Sequence, residues 1–422
     1  MFLIKKINFS NIFSINLLIA LIIPFLVWGP FFPDLIVSIS SLFFLFYILK
    51  NNDFYYLNNK LFLVFLLFCI TSTISSLESD NISLSIKSSL FYFRIGVFSC
   101  FVWYLIDRNK KIINNFYYAI VICFSVLVID GYFQYFSGQN IFGLKIIGDR
   151  ASSFFGDELI MGSYLSRLFP LMFALFLIKR KHRYEIYFIA ILFILVDILI
   201  FMSGERSAFF FLNLSTIFII ILIKEYQKFR LITFIVAIFC IFILSLYSPH
   251  LTNRMIKEPA KNMGLIKSSA QPVIFTSVHD SLIRTSFNMF IDKPIMGHGP
   301  KMFREKCKDD KYAVGNWPCS THPHNFYIQL LSETGIIGFL FLLSALGYVI
   351  YTAIRQLKSI IFRQKRPLTD YQVCLLAGIL ISVWPFSPNG NFFNNWLMIV
   401  YSLPVGFYLQ SIYSKKIVKK DL

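Results

Sequence analysis

Residues 321–338, THPHNFYIQLLSETGIIG, join a polar segment that contains two histidines to the start of a long apolar run. The run continues to about residue 353, and a helix needs about 20 mostly apolar residues to cross a bilayer. The stretch therefore predicts a polar site at the point where a membrane-spanning helix begins.

The whole chain has the composition of a membrane protein. Of its 422 residues, 57% are hydrophobic and only 15% are charged. The runs that end near residues 49 and 202 have no polar stripe at helical spacing, which suits contact with lipid rather than with water. The sequence therefore predicts an all-α, polytopic integral membrane protein with about twelve transmembrane helices. The predicted runs are 10–28, 31–49, 61–77, 88–106, 113–136, 159–178, 184–202, 207–223, 230–247, 326–353, 371–387 and 393–413.

The positive charges indicate the topology. The formal net charge of +18 would fit a nucleic-acid partner if it formed one stripe, but the cations lie mainly in every second short connection between the runs, whereas the alternate short connections carry few, chiefly Lys87, Lys145, Arg150 and Arg206. The positive-inside rule then places both termini in the cytoplasm, and it predicts membrane lipids rather than nucleic acid as the surroundings of the chain. The cations that set this topology are Lys5, Lys6, Lys50, Lys60, Arg108, Lys110, Lys111, those at 179–183, Lys224, Lys228, Arg230, those at 355–366 and those at 415–420.

The runs divide the single membrane domain into three parts. Residues 1–247 hold nine predicted helices, 248–325 form a large outward loop, and 326–422 hold three more helices. A loop this long without a function is unusual. Apolar residues at helical spacing in 278–290 predict a short helix within the loop.

Two of the seven cysteines differ from the rest. Five lie inside apolar runs, where a cysteine is a small buried hydrophobic residue. Cys307 and Cys319 both lie in the large loop, and they can pair if that loop faces an oxidising compartment. Their spacing alone leaves the pairing open.

His324 is the candidate catalytic residue. It should lie at the amino end of the tenth span, where free backbone N–H groups and the helix dipole disfavour an imidazolium. A neutral imidazole can accept a proton from a sugar hydroxyl as a general base. His322 is the alternative base, and Asn325 completes the polar start of the helix as a candidate substrate-binding residue.

Three arginines are candidate binding residues for phosphate. Arg206 lies in a tight turn between two apolar runs, Arg284 in the predicted loop helix and Arg150 in a glycine-rich turn. The planar guanidinium suits bidentate binding of phosphate, so two or three of them at one site would imply a diphosphate. For Arg206, the alternatives are a salt bridge to Glu205 or contact with lipid head groups.

Other polar residues have open roles. Asp130 near the end of the fifth run can contact a sugar or make a turn, and Glu333 can serve helix packing or substrate binding. No His or Cys cluster has metal-ligand spacing, and no glycine-rich loop resembles a nucleotide site. The sequence therefore predicts neither a metal nor a cofactor.

Three segments share a pattern: SGERSA at 203–208, Arg284 followed by KPIMGHG at 293–299, and HN at 324–325 continuing to Glu333, Gly335 and Gly338. They resemble the O-antigen ligase and polymerase superfamily of bacterial envelope glycosyltransferases. The resemblance extends over about 200–340 in motif, and over most of the chain in layout. The threonine pair of some ligases is missing after the helix start.

The resemblance implies a metal-independent, inverting glycosyltransferase of the bacterial inner membrane. It would move a glycan from undecaprenyl diphosphate to a hydroxyl of the lipid A-core on the periplasmic face. His324 would deprotonate that hydroxyl, while Arg206 and Arg284 would hold the diphosphate. A polymerase would use the same donor with a second lipid-linked glycan as acceptor. A transporter of lipid-linked sugars is the alternative from another class, although such proteins usually show paired halves.

Overall fold

The computed structural model describes residues 12–179, 182–262 and 275–414. Some of the cations used to predict topology, among them Lys5, Lys6 and those at 415–420, lie outside these ranges. Within the ranges the ordered elements are helices, and two isolated β-bridges in 139–150 are the only strand-like pairings. The predicted all-α fold is confirmed.

The described ranges hold eighteen α-helices. In chain order they are α1 Ile12–Ala20, α2 Ile22–Phe25, α3 Phe31–Asn51, α4 Lys60–Leu77, α5 Ile82–Ser89, α6 Phe93–Arg108, α7 Lys111–Ser137, α8 Met161–Ile178, α9 Arg183–Met202, α10 Arg206–Leu222, α11 Gln227–Tyr247, α12 Pro249–Thr252, α13 Glu258–Asn262, α14 Ser277–Asp292, α15 Phe303–Lys306, α16 Phe326–Ile361, α17 Asp370–Ser382 and α18 Asn395–Tyr413.

Each of the twelve predicted runs is occupied by helix, and the protein is polytopic. In the described part of the chain, nine helices are long and apolar enough to cross a bilayer. The other three runs give shorter apolar helices at Ile15–Phe25, Arg206–Leu222 and Asp370–Ser382. The first run breaks between α1 and α2, and the fourth begins as the separate helix α5, so these two runs are less regular than predicted.

Contacts between helix ends show which of these ends lie together at each end of the bundle. At one end, Arg94 at the start of α6 pairs with Asp34 at the start of α3. At the other end, Lys179 at the end of α8 pairs with Glu185 at the start of α9, and the backbone N–H of Lys224 donates to Asp370. The second set of connections carries the lysines and arginines from which the topology was predicted, so we call it the basic end.

The longest helix, α16, is broken near its start. Gly335 has φ +64° and ψ −163°, which is not helical and is a conformation open almost only to glycine. A Cβ at this position would overlap the Ile295 carbonyl, and the N–H of Ile336 donates to the Pro294 carbonyl at 2.9 Å. At Gly335 this face of α16 receives a loop, whereas a Cβ at Gly338 would lie 3.6 Å from Phe68 of α4.

Glu333 lies next to this break in α16 and helps to hold it. Its carboxylate accepts hydrogen bonds from the backbone N–H of Phe303 at 3.2 Å and from the Gln329 side chain at 2.9 Å. Its carbonyl accepts from Gly299 at 2.8 Å. Of the two roles considered for this residue, the structure supports packing, because the side chain is fully buried against protein groups.

The large loop between α11 and α16 has a small core of its own. Its predicted helix is present as α14, and Leu282, Met289, Phe303 and Tyr312 pack together beside it. Cys307 and Cys319 form a disulfide within this cluster, with their Cα atoms 4.9 Å apart. The cross-link ties the segment that precedes His324 to the core of the loop.

We expect Gly335→Ala to destabilise the protein, because the new methyl group meets the Ile295 backbone and the backbone conformation disfavours any side chain. The strain alone should cost about 1 to 3 kcal/mol. The measurement is the thermal unfolding temperature in detergent. Gly347→Ala in the same helix is the matched control, since its methyl group meets open space. An equal decrease in the unfolding temperature of both variants would contradict this account of the break at Gly335.

Candidate active site

Three histidines meet at the start of α16. The rings of His322 and His324 lie 4.2 Å apart between centroids, and the ring of His279, from the first turn of α14, lies 5.9 Å from that of His324. We call these three residues the histidine cluster. His279 was not among the residues selected from sequence, because only folding of the loop brings α14 against the start of α16.

The backbone around His324 is held tightly. His324 has φ +58°, which is uncommon for a residue other than glycine and is typical of functional sites. Its carbonyl accepts from the N–H of Asn389 at 2.8 Å. Asn325 then caps α16, since its Oδ1 accepts from the N–H groups of Tyr327 and Ile328.

Asn325 therefore has a structural role. Besides capping the helix, it donates through Nδ2 to the Pro385 carbonyl at 2.7 Å. These bonds use Oδ1 and one N–H of the amide, and they fix the α17–α18 connection to the start of α16. A contact between Asn325 and substrate stays a prediction.

His322 is a buried residue with both ring nitrogens engaged. Nε2 lies 3.3 Å from the Asn389 carbonyl, and Nδ1 lies 2.9 Å from the Thr321 hydroxyl. Because a carbonyl only accepts, Nε2 carries the proton and Nδ1 accepts from Thr321. Burial and the neighbouring His324 lower the pKa of His322 to about 3, so its imidazole is neutral.

His324 is more open than His322. Its Nε2 lies 3.4 Å from the Ser320 hydroxyl, a long hydrogen bond that a substrate hydroxyl can replace. Burial and the nearby His279 lower the pKa of His324. This direction agrees with the prediction of a neutral imidazole, although burial rather than the helix end is the main cause of the lowered pKa.

Three arginines surround the turn between α9 and α10. Arg150, Arg206 and Arg254 form this group, which we call the arginine cluster. Gly204 in the turn has φ +66°, and a Cβ there would lie 2.9 Å from both Arg150 Cγ and Arg254 Nε. The missing side chain therefore makes room for two of the arginines.

Backbone carbonyls orient all three guanidinium groups. Nε of Arg150 donates to Ser203 at 2.9 Å, Nε of Arg254 donates to Gly204 at 2.9 Å, and Nε of Arg206 donates to the Arg254 carbonyl at 2.8 Å. Arg206 also pairs with Glu258, and Nη2 of Arg150 donates to Leu159. In the described ranges the Nη groups of Arg254 and Nη1 of Arg150 donate to no protein group, which leaves them for an anion.

The guanidinium groups are close enough to repel one another. Burial and the positive charge of Arg254 lower the pKa of Arg150, and burial and Arg206 lower that of Arg254. A bound anion would relieve this repulsion. Phosphate is the anion that best matches several guanidinium donors.

Glu205 does not pair with Arg206, contrary to one alternative from sequence. Its carboxylate accepts from the backbone N–H groups of Gly162 at 2.6 Å and Ser163 at 3.0 Å, and from the Ser163 hydroxyl at 2.6 Å. These groups lie at the amino end of α8, where a carboxylate is stabilised. Glu205 thus fixes the turn to α8 and leaves Arg206 to face Glu258.

The turn that carries Arg150 is fixed by α7. The Gln134 side chain accepts from the N–H groups of Ser152 at 2.8 Å and Ser153 at 2.7 Å. Asp130 accepts from the N–H of Ile141 at 3.0 Å and from the Ser153 hydroxyl. The role left open for Asp130 is therefore to hold the loop that presents Arg150.

Arg284 does not join the arginine cluster in the structure. It lies on α14, its side chain is 64% exposed, and its charged neighbour is Asp280 at 3.8 Å. Of the predicted convergence of three arginines, the structure contains Arg150 and Arg206, with Arg254 as the third member. Arg284 shares helix α14 with His279.

Two contact paths connect the arginine cluster to the histidine cluster. In the first, Phe210, one turn from Arg206, packs on Trp384 with ring centroids 6.0 Å apart, and the next residue, Pro385, accepts from Asn325. The second is polar. Arg167 of α8 donates to the Tyr401 hydroxyl, which in turn donates to Asn389.

Sequence reasoning missed His279, Arg254 and Arg167. Arg254 and His279 lie in the long loop, and the helical spacing in 278–290 does not indicate which side chains meet the rest of the protein. Arg167 was hidden inside an apolar run, yet a charged residue in such a run is a signal of function by itself. In the described ranges, no group of three His, Cys, Asp or Glu side chains is arranged to hold a metal ion.

Comparison with known proteins gives one family. Residues 188–343 match the O-antigen ligase family model, and this segment holds Arg206, Arg254, Arg284 and all members of the histidine cluster. A search of curated proteins finds no match. The match supports the predicted superfamily over residues 188–343.

We expect Gly204→Ala to weaken binding of inorganic diphosphate, because its methyl group displaces Arg150 and Arg254. Loss of one hydrogen bond to a charged group costs about 1.5 to 3 kcal/mol, so the dissociation constant should rise roughly tenfold or more. Gly138→Ala is the control, since Gly138 also has positive φ but faces open space. Unchanged binding in Gly204→Ala would show that the arginines do not bind this anion.

Proposed function

We propose that this chain, a membrane protein of the O-antigen ligase superfamily, transfers a glycan from a lipid-linked diphosphate to an acceptor hydroxyl. In the ligase form of the reaction, undecaprenyl diphosphate carries the glycan and the lipid A-core supplies the hydroxyl. The site would face the periplasm, opposite the basic end. The chain's segments 1–247, 248–325 and 326–422 would then act as one membrane domain around a periplasmic loop.

One observation carries the proposal. A neutral, half-buried imidazole and a group of guanidinium groups with free donors lie at the same end of the bundle, away from the basic end, and the α17–α18 connection contacts the helices that carry both. The neutral imidazole can accept the proton of an attacking hydroxyl, and the guanidinium groups can stabilise the negative charge of a departing diphosphate. Tight turns hold the arginine cluster in place, and the break in α16 at Gly335 helps to hold the histidine cluster.

The reaction follows from this arrangement. Nε2 of His324 takes the proton of the acceptor hydroxyl while the oxygen attacks the anomeric carbon of the donor sugar. The bond between that carbon and the diphosphate oxygen breaks from the opposite face, so the configuration inverts. The electron pair leaves on the diphosphate, and the arginine cluster stabilises the added negative charge.

An apolar groove gives the donor's lipid chain a place beside this site. It has a volume of about 420 Å³ and lies between α4, α6, α16 and α18. Phe326, which follows Asn325, lines one part of it, and Tyr348 and Tyr408 line another. A polyprenyl chain suits these surroundings, because a ligand site this apolar offers nothing to a free sugar.

The polymerase form of the reaction differs only in the acceptor. The missing threonine pair after the helix start favours it, whereas the description of the matched family favours a ligase. We therefore expect product with lipid A-core as acceptor. Product formed only with a second lipid-linked glycan would assign the polymerase reaction instead.

We expect His324→Asn to abolish transfer while the protein still folds, because asparagine tolerates the positive φ of this position but cannot take the proton. The rate should fall by a factor of about 10² to 10⁴. The assay contains purified protein, lipid-linked glycan and acceptor, and it detects the covalent product. His182→Asn, at the basic end, is the control.

Two outcomes would overturn this assignment. Retained turnover in His324→Asn would remove His324 as the base and direct attention to His322. Movement of the lipid-linked glycan across a vesicle bilayer, without covalent product in the wild-type protein, would favour the transporter.

The pH dependence follows from the lowered pKa of His324. The base must be neutral, and the pKa in the folded protein lies below the ordinary value of 6.5. We therefore expect the midpoint of the decrease in kcat/KM on the acid side to lie below pH 6.5. A midpoint at or above pH 6.5 would contradict a buried neutral imidazole as the base.

A further inference from the structure

Arg167 is a buried cation that has no acidic hydrogen-bond partner in the described part of the chain. It lies in α8, inside an apolar span, and only 4% of its surface is exposed. Its Nε donates to the Tyr401 hydroxyl at 2.9 Å and its Nη1 to the Ser163 carbonyl at 3.3 Å. The guanidinium also stacks on the rings of Phe211 and Tyr401, but no ion pair in the described ranges includes it.

A second buried arginine shows what the fold does when the role is structural. Arg230 is completely buried, and its two Nη groups donate to the carboxylate of Asp197 at 2.8 and 3.2 Å. Thr216 accepts a further bond. Burying an unpaired charge is costly, so the absence of such a carboxylate at Arg167 requires another source of negative charge.

Glu205 does not supply it. This carboxylate lies close enough to the Arg167 guanidinium for the two charges to interact, but its oxygens already accept three bonds from Gly162 and Ser163. It also lies close to Arg150. Around this turn, four guanidinium groups, those of Arg150, Arg167, Arg206 and Arg254, face two carboxylates, those of Glu205 and Glu258.

The position of Arg167 fits a substrate that reaches both clusters. Through Ser163 and Glu205 it adjoins the turn of the arginine cluster. Through Tyr401 it connects to Asn389, whose backbone holds His322 and His324. A phosphate that contacts Arg167 would therefore lie between the two clusters, next to the sugar that the hydroxyl activated by His324 attacks.

We propose that Arg167 binds the phosphate of the lipid diphosphate donor that is attached to the transferred sugar. This inference rests on the proposed function and adds a binding residue to it. Tyr401 and Ser163 hold the guanidinium so that its free donors face the anion, and the two aromatic rings keep its charge away from water. Arg150 and Arg254 then hold the second phosphate.

The test is binding of undecaprenyl diphosphate to purified protein in detergent, measured by native mass spectrometry. We expect Arg167→Gln to raise the dissociation constant roughly ten- to a hundredfold, the loss expected for hydrogen bonds to a charged group. The KM for the lipid-linked donor should rise similarly, while the KM for the acceptor stays unchanged. Equal diphosphate affinity in wild type and Arg167→Gln would overturn the proposal.

Three control measurements distinguish a binding role of Arg167 from a structural role and from binding of a bilayer lipid. Arg230→Gln should lower the unfolding temperature without changing diphosphate affinity, because Arg230 serves only the fold. If Arg167→Gln does not fold, Arg167→Lys decides, since lysine keeps the charge but lacks the fork; unaltered affinity in that variant also overturns the proposal. Equal loss of binding for phosphatidylglycerol would assign Arg167 to a bilayer head group instead of the donor.

A failure of the inference about Arg167 can be distinguished from a failure of the proposed function. If wild-type protein does not bind undecaprenyl diphosphate, the proposed function itself fails. If wild type and Arg167→Gln bind it equally, and His324→Asn abolishes transfer, the function stands and only the role of Arg167 is lost.

Discussion

Burying charge in an apolar bundle is costly, and this constraint determines how the protein is built. Where the fold needs a buried cation it supplies an acid, as Asp197 does for Arg230. Where it needs a buried acid it supplies N–H groups, as α8 does for Glu205. Arg167 and the free donors of Arg150 and Arg254 are not compensated in this way. The positive charge that remains is concentrated at the site, and it is the basis for inferring an anionic substrate.

The irregular backbone of the protein serves the same site. Helices satisfy their own backbone groups in lipid, whereas turns and breaks need other partners. Here those partners come from side chains and loops at the end of the bundle opposite the basic end: Gln134 holds the Arg150 turn, Glu205 holds the turn before α10, and Asn325 caps α16. The break at Gly335 lets the 294–299 segment pack against the start of α16. Each of these devices fixes a segment that carries a candidate functional residue.

The sequence predicted the layout well because membrane spans are a strong local signal. Periodicity and composition predicted the twelve apolar runs, the helix α14, the polar start of α16 and the turn that carries Arg206. The sequence could not predict that Gly335 receives a loop, that Arg284 lies apart from Arg206, or that His279 and Arg254 complete the two clusters. These facts depend on how a long loop folds back, and no local pattern encodes such contacts. Asp130 and Glu333 looked like candidate binding residues because buried hydrogen bonds to backbone are invisible in a sequence.

The central claim is that the arginine cluster and the histidine cluster are two halves of one site, occupied by one lipid diphosphate. A cryo-electron microscopy structure of the protein with undecaprenyl diphosphate bound tests it most directly. The account predicts phosphate density against the guanidinium groups of Arg150 and Arg254, with the diphosphate directed toward His324. Density at the basic end, or in a pocket that contacts neither cluster, would contradict it.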